Sequence, residues 1–160
     1  MELAAARPAT VDDLADLLVA AYPALVRRLA LVLRDADAAQ DVAQSAFARA
    51  LEGRDGFHGG DARAWLHTIG LRLAFNEPRR RSRRTRATGQ TEPTWALACD
   101  PDLWAALGQI DPRPRAALLM SVLDGHTHDE IGTILGVPAG TVSSWLSRTK
   151  ERLRTTLGEA

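Results

Sequence analysis

Five side chains near the end of the chain combine hydroxyl, aromatic and guanidinium groups on one face of a predicted helix. They are Thr141, Ser144, Trp145, Arg148 and Arg152. Their spacing places them opposite an inward stripe formed by Val142, Leu146, Thr149 and Leu153. Hydroxyl and guanidinium groups donate hydrogen bonds to phosphate oxygens and base edges. The face therefore predicts contact with a nucleic acid, and a helical hairpin that packs on another protein is the alternative.

A second feature is a cluster of arginines in the middle of the chain. Six of the eight residues from Arg79 to Arg86 are Arg. Such a run is often only a solvated segment, but between two folded units it is suited to neutralise phosphates. Phe57, Trp65 and Phe75 lie near it and could stack on unpaired bases. For Trp65, helical spacing equally favours a place in the core.

Signals for catalysis are weak. His126, His128 and Asp129 lack a second cluster at ligand spacing, and Thr127 is already suited to cap a helix, so the pattern does not predict a metal site. The chain has no P-loop, no glycine-rich dinucleotide turn and no nucleophile signature. Asp41 and Gln44 share a polar helix face, which by itself indicates only contact with solvent. We therefore predict no cofactor and no enzymatic activity.

The elements that must position these residues are predicted to be helices. The first begins at Thr10 and follows an apolar stripe to Leu33, with a kink or a break into two helices expected at Pro23. After a turn at residues 34–37, a second helix covers 38–51. A glycine-rich loop spans 53–60. A third helix covers 61–77 and buries Trp65, Leu66, Ile69 and Leu73.

The second half of the chain repeats the helical pattern. Asp100 and Pro101 predict the start of a short helix that ends at Ile110. A proline-rich break at 111–114 precedes a helix over 115–124. Thr127 and Glu130 form a capping box for a helix that ends near Leu135. A tight turn and a final helix over 139–157 complete a helix-turn-helix, whose second helix enters the major groove in DNA-binding proteins.

These patterns predict an all-α protein of two small helical domains joined by a flexible linker. The 20 basic and 20 acidic residues cancel only on average. Residues 1–70 carry a net charge of −3, residues 71–90 carry +6 and residues 91–160 carry −3. The single cysteine, Cys99, cannot form an internal disulfide, and no apolar run reaches the length of a membrane span, so we expect a cytoplasmic protein.

Taken in order, four segments resemble the extracytoplasmic-function (group IV) sigma factors of bacterial RNA polymerase. The segments are Asp41–Phe47 (DVAQSAF), Trp65–Ile69 (WLHTI), Asp124–Pro138 (DGHTHDEIGTILGVP) and Gly140–Arg148 (GTVSSWLSR). The resemblance covers about residues 13–155. It implies a σ2-like domain over 1–85, a linker over 86–99 and a σ4-like helix-turn-helix domain over 100–160.

The resemblance also implies partners and site residues. Core polymerase would be bound through its clamp coiled coil and its flap, with Asp41, Gln44 and Phe47 in the clamp-binding motif. The minus-ten element would be opened by Phe57, Asp61, Trp65, Arg72, Asn76, Arg79, Arg80 and Arg81. The minus-thirty-five element would be read by Thr141, Ser144, Trp145, Arg148 and Arg152. An anti-sigma factor is a further partner that the family implies.

Several positions depart from the family pattern. Arg72 and Asn76 stand where the family usually has Asn and Asp, and Pro78 follows them. Ser143 and Trp145 replace basic residues that are common in the recognition helix. Pro78 and Trp145 leave open a sigma-like scaffold that has lost promoter recognition and acts through protein contacts. A second alternative is a stand-alone helix-turn-helix regulator whose first domain dimerises.

Overall fold

The computed structural model of the protein describes residues 11–76 and 100–158, and over these ranges the chain is helical without a strand. Seven α-helices and one 3-10 turn form the described fold, so the all-α prediction is confirmed. The elements are α1 (Val11–Leu33), α2 (Ala36–Glu52), the 3-10 turn (Arg54–Gly56), α3 (Ala62–Asn76), α4 (Pro101–Gly108), α5 (Pro112–Leu123), α6 (His128–Leu135) and α7 (Ala139–Gly158).

The helix α1 is continuous through Pro23, so the expected break into two helices near Tyr22 is wrong. Proline removes one backbone hydrogen bond, which is a local cost. Ala21 and Leu25 on either side of it are buried in the core, and this packing holds the helix together. Tertiary packing therefore outweighs the local cost of the proline.

The helix α2 begins two residues earlier than its pattern predicted. Asp35 is its N-cap, and the side chain accepts a hydrogen bond from the backbone N–H of Ala38 at 3.0 Å. The expected turn at residues 34–37 therefore already contains the first residues of the helix. The three helices α1, α2 and α3 pack on one another and form the first half of the structure (residues 11–76).

The second half (residues 100–158) consists of α4 to α7. Asp100 caps α4 as predicted and accepts from the N–H of Asp102. The helix α5 begins at Pro112, whereas the sequence predicted a break up to residue 114. Both prolines in this segment lie in the first turn of the helix, where backbone N–H groups have no intrahelical acceptor, so neither removes a bond.

The helix-turn-helix has the predicted form. Thr127 and Glu130 make both hydrogen bonds of the capping box at the start of α6. Gly136 ends the helix with φ 70°, a left-handed conformation that glycine adopts without strain. Among the predicted inward residues of α7, Val142, Leu146 and Thr149 are buried, while Leu153 is half-buried.

One hydrophobic core runs through both halves. Fully buried side chains come from α1 and α3 as well as from α5, α6 and α7, and α1 contacts α5 while α3 contacts α6. Each half therefore covers apolar surface of the other. The predictions for Thr10, Pro78, the linker 86–99 and Cys99 concern residues outside the described ranges, as do those for Arg79, Arg80 and Arg81.

Candidate protein and nucleic-acid interfaces

The outer face of α2 presents Asp41 and Gln44 to solvent. Phe47 lies one turn further along and is half-buried. Its ring contacts Tyr22 of α1 edge-to-face, with ring centroids 5.9 Å apart. The face therefore offers a carboxylate and an amide to a partner, with an aromatic ring whose position is fixed by α1.

An open groove of about 500 Å³ lies between the end of α2 and the side of α3. It is lined by Arg49, Gly53, Trp65, Ile69, Arg72, Leu73 and Asn76. Trp65, Ile69 and Leu73 follow each other at one-turn spacing and give the groove an apolar side, while Arg49 and Arg72 are exposed. Phe57 supports the groove from the preceding loop, since its ring centroid is 5.2 Å from that of Trp65.

The groove has the chemistry of a site for an unpaired base. An aromatic side chain stacks on any base, and guanidinium groups attract the phosphates of the strand. Sequence reasoning found Trp65, Arg72 and Asn76 but missed Arg49, Gly53, Ile69 and Leu73 as neighbours. The one-turn spacing of Ile69 and Leu73 was visible, but it was interpreted only as a buried stripe.

Two of the predicted minus-ten residues already have partners in this structure. Asp61 caps α3 by accepting from the N–H groups of Arg63 and Ala64, at 2.9 and 3.3 Å. Asn76 donates from its side-chain amide to the carbonyl of Ile134 in α6, at 3.2 Å. Asp61 therefore fixes the start of the helix that carries Trp65, and Asn76 belongs to a contact between the halves.

The outer face of α7 displays the predicted nucleic-acid-binding side chains. Ser144, Arg148 and Arg152 are exposed and Thr141 is half-exposed. The Nε of Arg148 donates to the carbonyl of Ser144 at 3.3 Å, one turn back along the helix. The two guanidinium groups lie four positions apart on one side of α7, where they can meet the phosphates that border a major groove.

Trp145 is half-buried, whereas Ser144, Arg148 and Arg152 on the same face are exposed. It packs partly against the core and borders a pocket of about 210 Å³. Arg148, Thr149 and Arg152 of α7 line the same pocket, together with Ile110, Asp111 and Pro114. Trp145 therefore packs partly against the core and also borders the pocket that Arg148 and Arg152 line.

A polar cavity of about 520 Å³ lies where α3 faces the end of α5. Arg28, Asp61, Arg63, His67 and Asp124 contribute to its lining. His67 is 6% exposed, and its Nε2 has no hydrogen-bond partner among the described residues. Burial lowers the pKa of His67 to about 4, and the positive charges of Arg28 and Arg63 act in the same direction. The ring is therefore neutral at pH 7.

We expect the buried neutral His67 to make the protein less stable in acid. The unfolded chain binds a proton at His67 near pH 6.5, whereas the folded chain excludes it until about pH 4, so stability falls as the pH drops through this window. By pH 4 the loss attributable to His67 should reach about 2–3 kcal/mol. Urea unfolding of the wild type and of His67→Gln at several pH values measures it. An equal pH dependence in both proteins would contradict the assignment.

His126 takes part in the capping arrangement at the start of α6. The Nδ1 of His126 lies 3.2 Å from the carboxylate of Glu130, which also accepts from the N–H of Thr127. That backbone hydrogen bond, together with the one from His126, lowers the pKa of Glu130. Among the described residues, no three His, Cys, Asp or Glu side chains are grouped as metal ligands. Within the same residues, no helix is both long and apolar enough to cross a membrane.

Family comparisons match both halves of the chain. Residues 18–84 match Sigma-70 region 2, and residues 101–153 match Sigma-70 region 4. These two ranges contain the α2 face, the groove and the whole α7 face.

Curated relatives of the chain are sigma factors. It is 34% identical to the ECF RNA polymerase sigma factor SigL of Mycobacterium tuberculosis, over 86% of this chain and 85% of that protein. It is 31% identical to the ECF sigma factor EcfG of Rhodopseudomonas palustris, over 89% and 83%. With the ECF sigma factor SigE of Mycolicibacterium smegmatis it shares 32% identity over 72% of this chain, but it spans only 50% of that longer protein.

A solved structure resembles the described fold. It is the sigma factor RpoE from Bartonella quintana in complex with the anti-sigma factor NepR. The TM-score is 0.69 at 25% sequence identity, and the match covers 88% of this chain and 94% of that chain. Because 88% of the chain is more than either half contains, both halves are included in the same superposition.

Proposed function

Because the chain belongs to the extracytoplasmic-function sigma factors of bacterial RNA polymerase, we propose that its three surfaces bind polymerase, opened promoter DNA and duplex DNA. A sigma factor directs the polymerase to promoters and supports promoter-specific initiation. The groove between α2 and α3 is the observation that carries the assignment of surfaces. A stand-alone helix-turn-helix regulator has no need of a base-sized groove in the half that lacks the helix-turn-helix.

The groove is proposed to hold an unpaired base of the minus-ten element. Stacking on Trp65 offsets part of the few kcal/mol that flipping a base out of the duplex costs. Arg72 stands at the edge of the groove where the family usually has Asn, and a guanidinium can make a bidentate contact with guanine or bind a phosphate. Phe57, Asp61, Asn76 and Arg79 to Arg81 complete the proposed minus-ten set.

The outer face of α7 is proposed to read the minus-thirty-five element as a duplex. Arg148 and Arg152 would bind phosphates, while Thr141 and Ser144 offer hydroxyl groups to base edges. Ser143 and Trp145 supply no positive charge, so fewer phosphates are neutralised and the salt dependence of binding is shallow. Weak binding by α7 alone fits a protein that recognises promoters as part of a holoenzyme.

Asp41, Gln44 and Phe47 of α2 are proposed to dock on the clamp coiled coil of core polymerase, and the second half to contact the flap. The domain limits that go with this assignment are 1–85, 86–99 and 100–160. The protein would act in the cytoplasm without catalysing a reaction and without a cofactor. An anti-sigma factor is a proposed partner, supported by the complex of the similar RpoE with NepR.

The test of this assignment is core binding by a variant with Asp41→Ala and Gln44→Ala. Both side chains are exposed, so their removal leaves the packing of α2 intact and the melting temperature unchanged. We expect affinity for core polymerase to fall at least tenfold, about 1.4 kcal/mol. Titration of labelled protein with core enzyme measures it, with Gln40→Ala on the same helix as the matched exposed control.

Run-off transcription from the DNA upstream of the gene, with purified protein and core enzyme, separates the candidate functions. A promoter-dependent transcript supports the sigma factor. Its absence, together with unchanged core affinity in the double variant, would favour the scaffold that acts through protein contacts. Sequence-specific DNA binding without core enzyme would favour the stand-alone regulator.

A further inference from the structure

Of the five side chains on the outer face of α7, Trp145 is the only large apolar one. The helix begins at Ala139, so Trp145 lies within its first two turns. In a helix-turn-helix, the N-terminal residues of the second helix contact base edges in the major groove. Thr141 precedes Trp145 by one turn and Arg148 follows it by one turn, so the three side chains are neighbours along the helix. Trp145 is therefore placed where a side chain can reach a base.

The ring of Trp145 is held in place by the second half of the structure. It is half-buried and packs against the hydrophobic core. Ile110 and Pro114 line the pocket that Trp145 borders, so the surroundings on that side include apolar groups. A Trp side chain has only two rotatable bonds, and this packing restricts them before DNA is bound. Presenting the rest of the ring to DNA therefore costs little conformational entropy.

The neighbours of Trp145 already supply the polar contacts of this face. Arg148 and Arg152 are exposed guanidinium groups suited to phosphates, while Thr141 and Ser144 carry hydroxyl groups. The Nε of Arg148 donates to the carbonyl of Ser144, which keeps this guanidinium within one turn of Trp145. A phosphate or a polar base atom has better partners in these groups than in an indole ring. The outward part of Trp145 is therefore matched to an apolar group on the DNA.

The apolar group that distinguishes base pairs in the major groove is the C5-methyl of thymine. The other groups that identify a base there are hydrogen-bond donors and acceptors. Apolar side chains, aromatic ones included, recognise thymine by contact with this methyl. We propose that Trp145 contacts one thymine methyl in the minus-thirty-five element and thereby selects an A·T pair at that position. The inference rests on the proposed function, because it needs α7 to read duplex DNA.

Removing single methyl groups from the promoter tests the proposal. The run-off transcript locates the start site, and with it the minus-thirty-five region. This region is synthesised with deoxyuridine in place of one thymidine at a time, which deletes the methyl and keeps the base pair. Holoenzyme made from core polymerase and the full chain is then titrated with each duplex. At one position we expect about a fourfold loss of affinity, the effect of burying one methyl group.

Variants at position 145 should change the response to that methyl. Trp145→Ala should bind the thymine and uracil duplexes equally, whereas Trp145→Phe keeps an apolar ring and should keep the preference for thymine. Trp145→Arg should also bind both duplexes equally, and its added charge should steepen the slope of log affinity against log salt by about 0.9. The matched control is Leu157→Ala, which removes a 37% exposed apolar side chain of the same helix outside the outer face. It should keep the wild-type preference.

The outcomes separate reading of a base from the other roles of Trp145. The proposal is overturned if no position of the region responds to loss of a methyl, or if Trp145→Ala shows the same loss as the wild type. Should Trp145→Ala fail to fold, Trp145→Arg, which retains a long side chain, applies the same test. Unchanged DNA binding with weaker core binding in these variants would assign the ring to a protein contact and also overturn the proposal.

Failure of the proposed function gives a different result. If no core-dependent transcript forms, the full chain alone is titrated at low salt with the upstream duplex in its thymine form and in its all-uracil form. A preference for thymine that Trp145→Ala abolishes would then support the methyl contact in a protein that is not a sigma factor. Equal binding of both forms would overturn the methyl contact as well.

Discussion

Replacing Arg115 by Ala is expected to lower the free energy of unfolding by about 3–4 kcal/mol. Arg115 is only 4% exposed, and its guanidinium donates to the carbonyl of Val32 at 2.9 Å and to that of Ile110 at 2.7 Å. The carbonyl of Val32 lies in the last turn of α1, and that of Ile110 lies between α4 and α5. Without the guanidinium, both carbonyls remain in the interior without this donor, and each such loss costs about 1–3 kcal/mol.

Two comparison variants separate this role from the effect of removing any arginine. Arg115→Lys keeps the charge, but one ammonium group cannot take the positions of both terminal nitrogens, so we expect an intermediate loss of about 1–2 kcal/mol. Arg152→Ala removes an exposed arginine of α7 and should change stability by less than about 0.5 kcal/mol. Urea unfolding followed by circular dichroism measures all three. A wild-type midpoint in Arg115→Ala would show that the two carbonyls do not depend on this side chain.

The contacts of Arg28 with Asp124 and of Arg115 with Val32 could not be predicted from the sequence. The helix-turn-helix was predictable because its signals are local: Thr127 and Glu130 are three residues apart, and Gly136 marks the end of the helix. By contrast, Arg28 and Asp124 lie 96 positions apart, and Arg115 and Val32 lie 83 apart. No periodicity connects such positions, so two separate domains were the natural prediction and the shared core was not foreseen.

The effect of proline on helices was overestimated in the sequence prediction. Pro23 and the segment 111–114 were both interpreted as breaks, because proline lacks the N–H that a helix interior needs. The helix continues through Pro23 because the neighbouring residues are packed in the core. Pro112 lies at the start of its helix, where a backbone N–H would have no intrahelical acceptor. The groove shows the same limit for function. Trp65 and Arg72 were found as separate candidates, but only the packing of α2 on α3 places Arg49 beside them.

The other large effect is expected for Trp65→Ala, on promoter opening more than on stability. A fully buried Trp would cost about 3–5 kcal/mol on truncation. Trp65 is only half-buried, with one side on Phe57 and another open to the groove, so we expect a loss of about 1–2 kcal/mol. Stacking of a base on an aromatic ring is worth about 1–3 kcal/mol, so open-complex formation should fall by roughly ten- to a hundredfold.

Two readouts separate a stacking role from a packing role. Trp65→Phe keeps an aromatic face and should recover most of the opening activity, whereas Trp65→Leu keeps apolar volume without that face and should not. The two variants should have similar melting temperatures, because the side chain at position 65 keeps its contact with Phe57 in each. Permanganate reactivity of unpaired thymines in the promoter measures opening, and a thermal melt measures stability. If Trp65→Leu opened the promoter as well as Trp65→Phe, the side chain would serve the groove only by filling space, and the base would have to be held by Arg49 and Arg72.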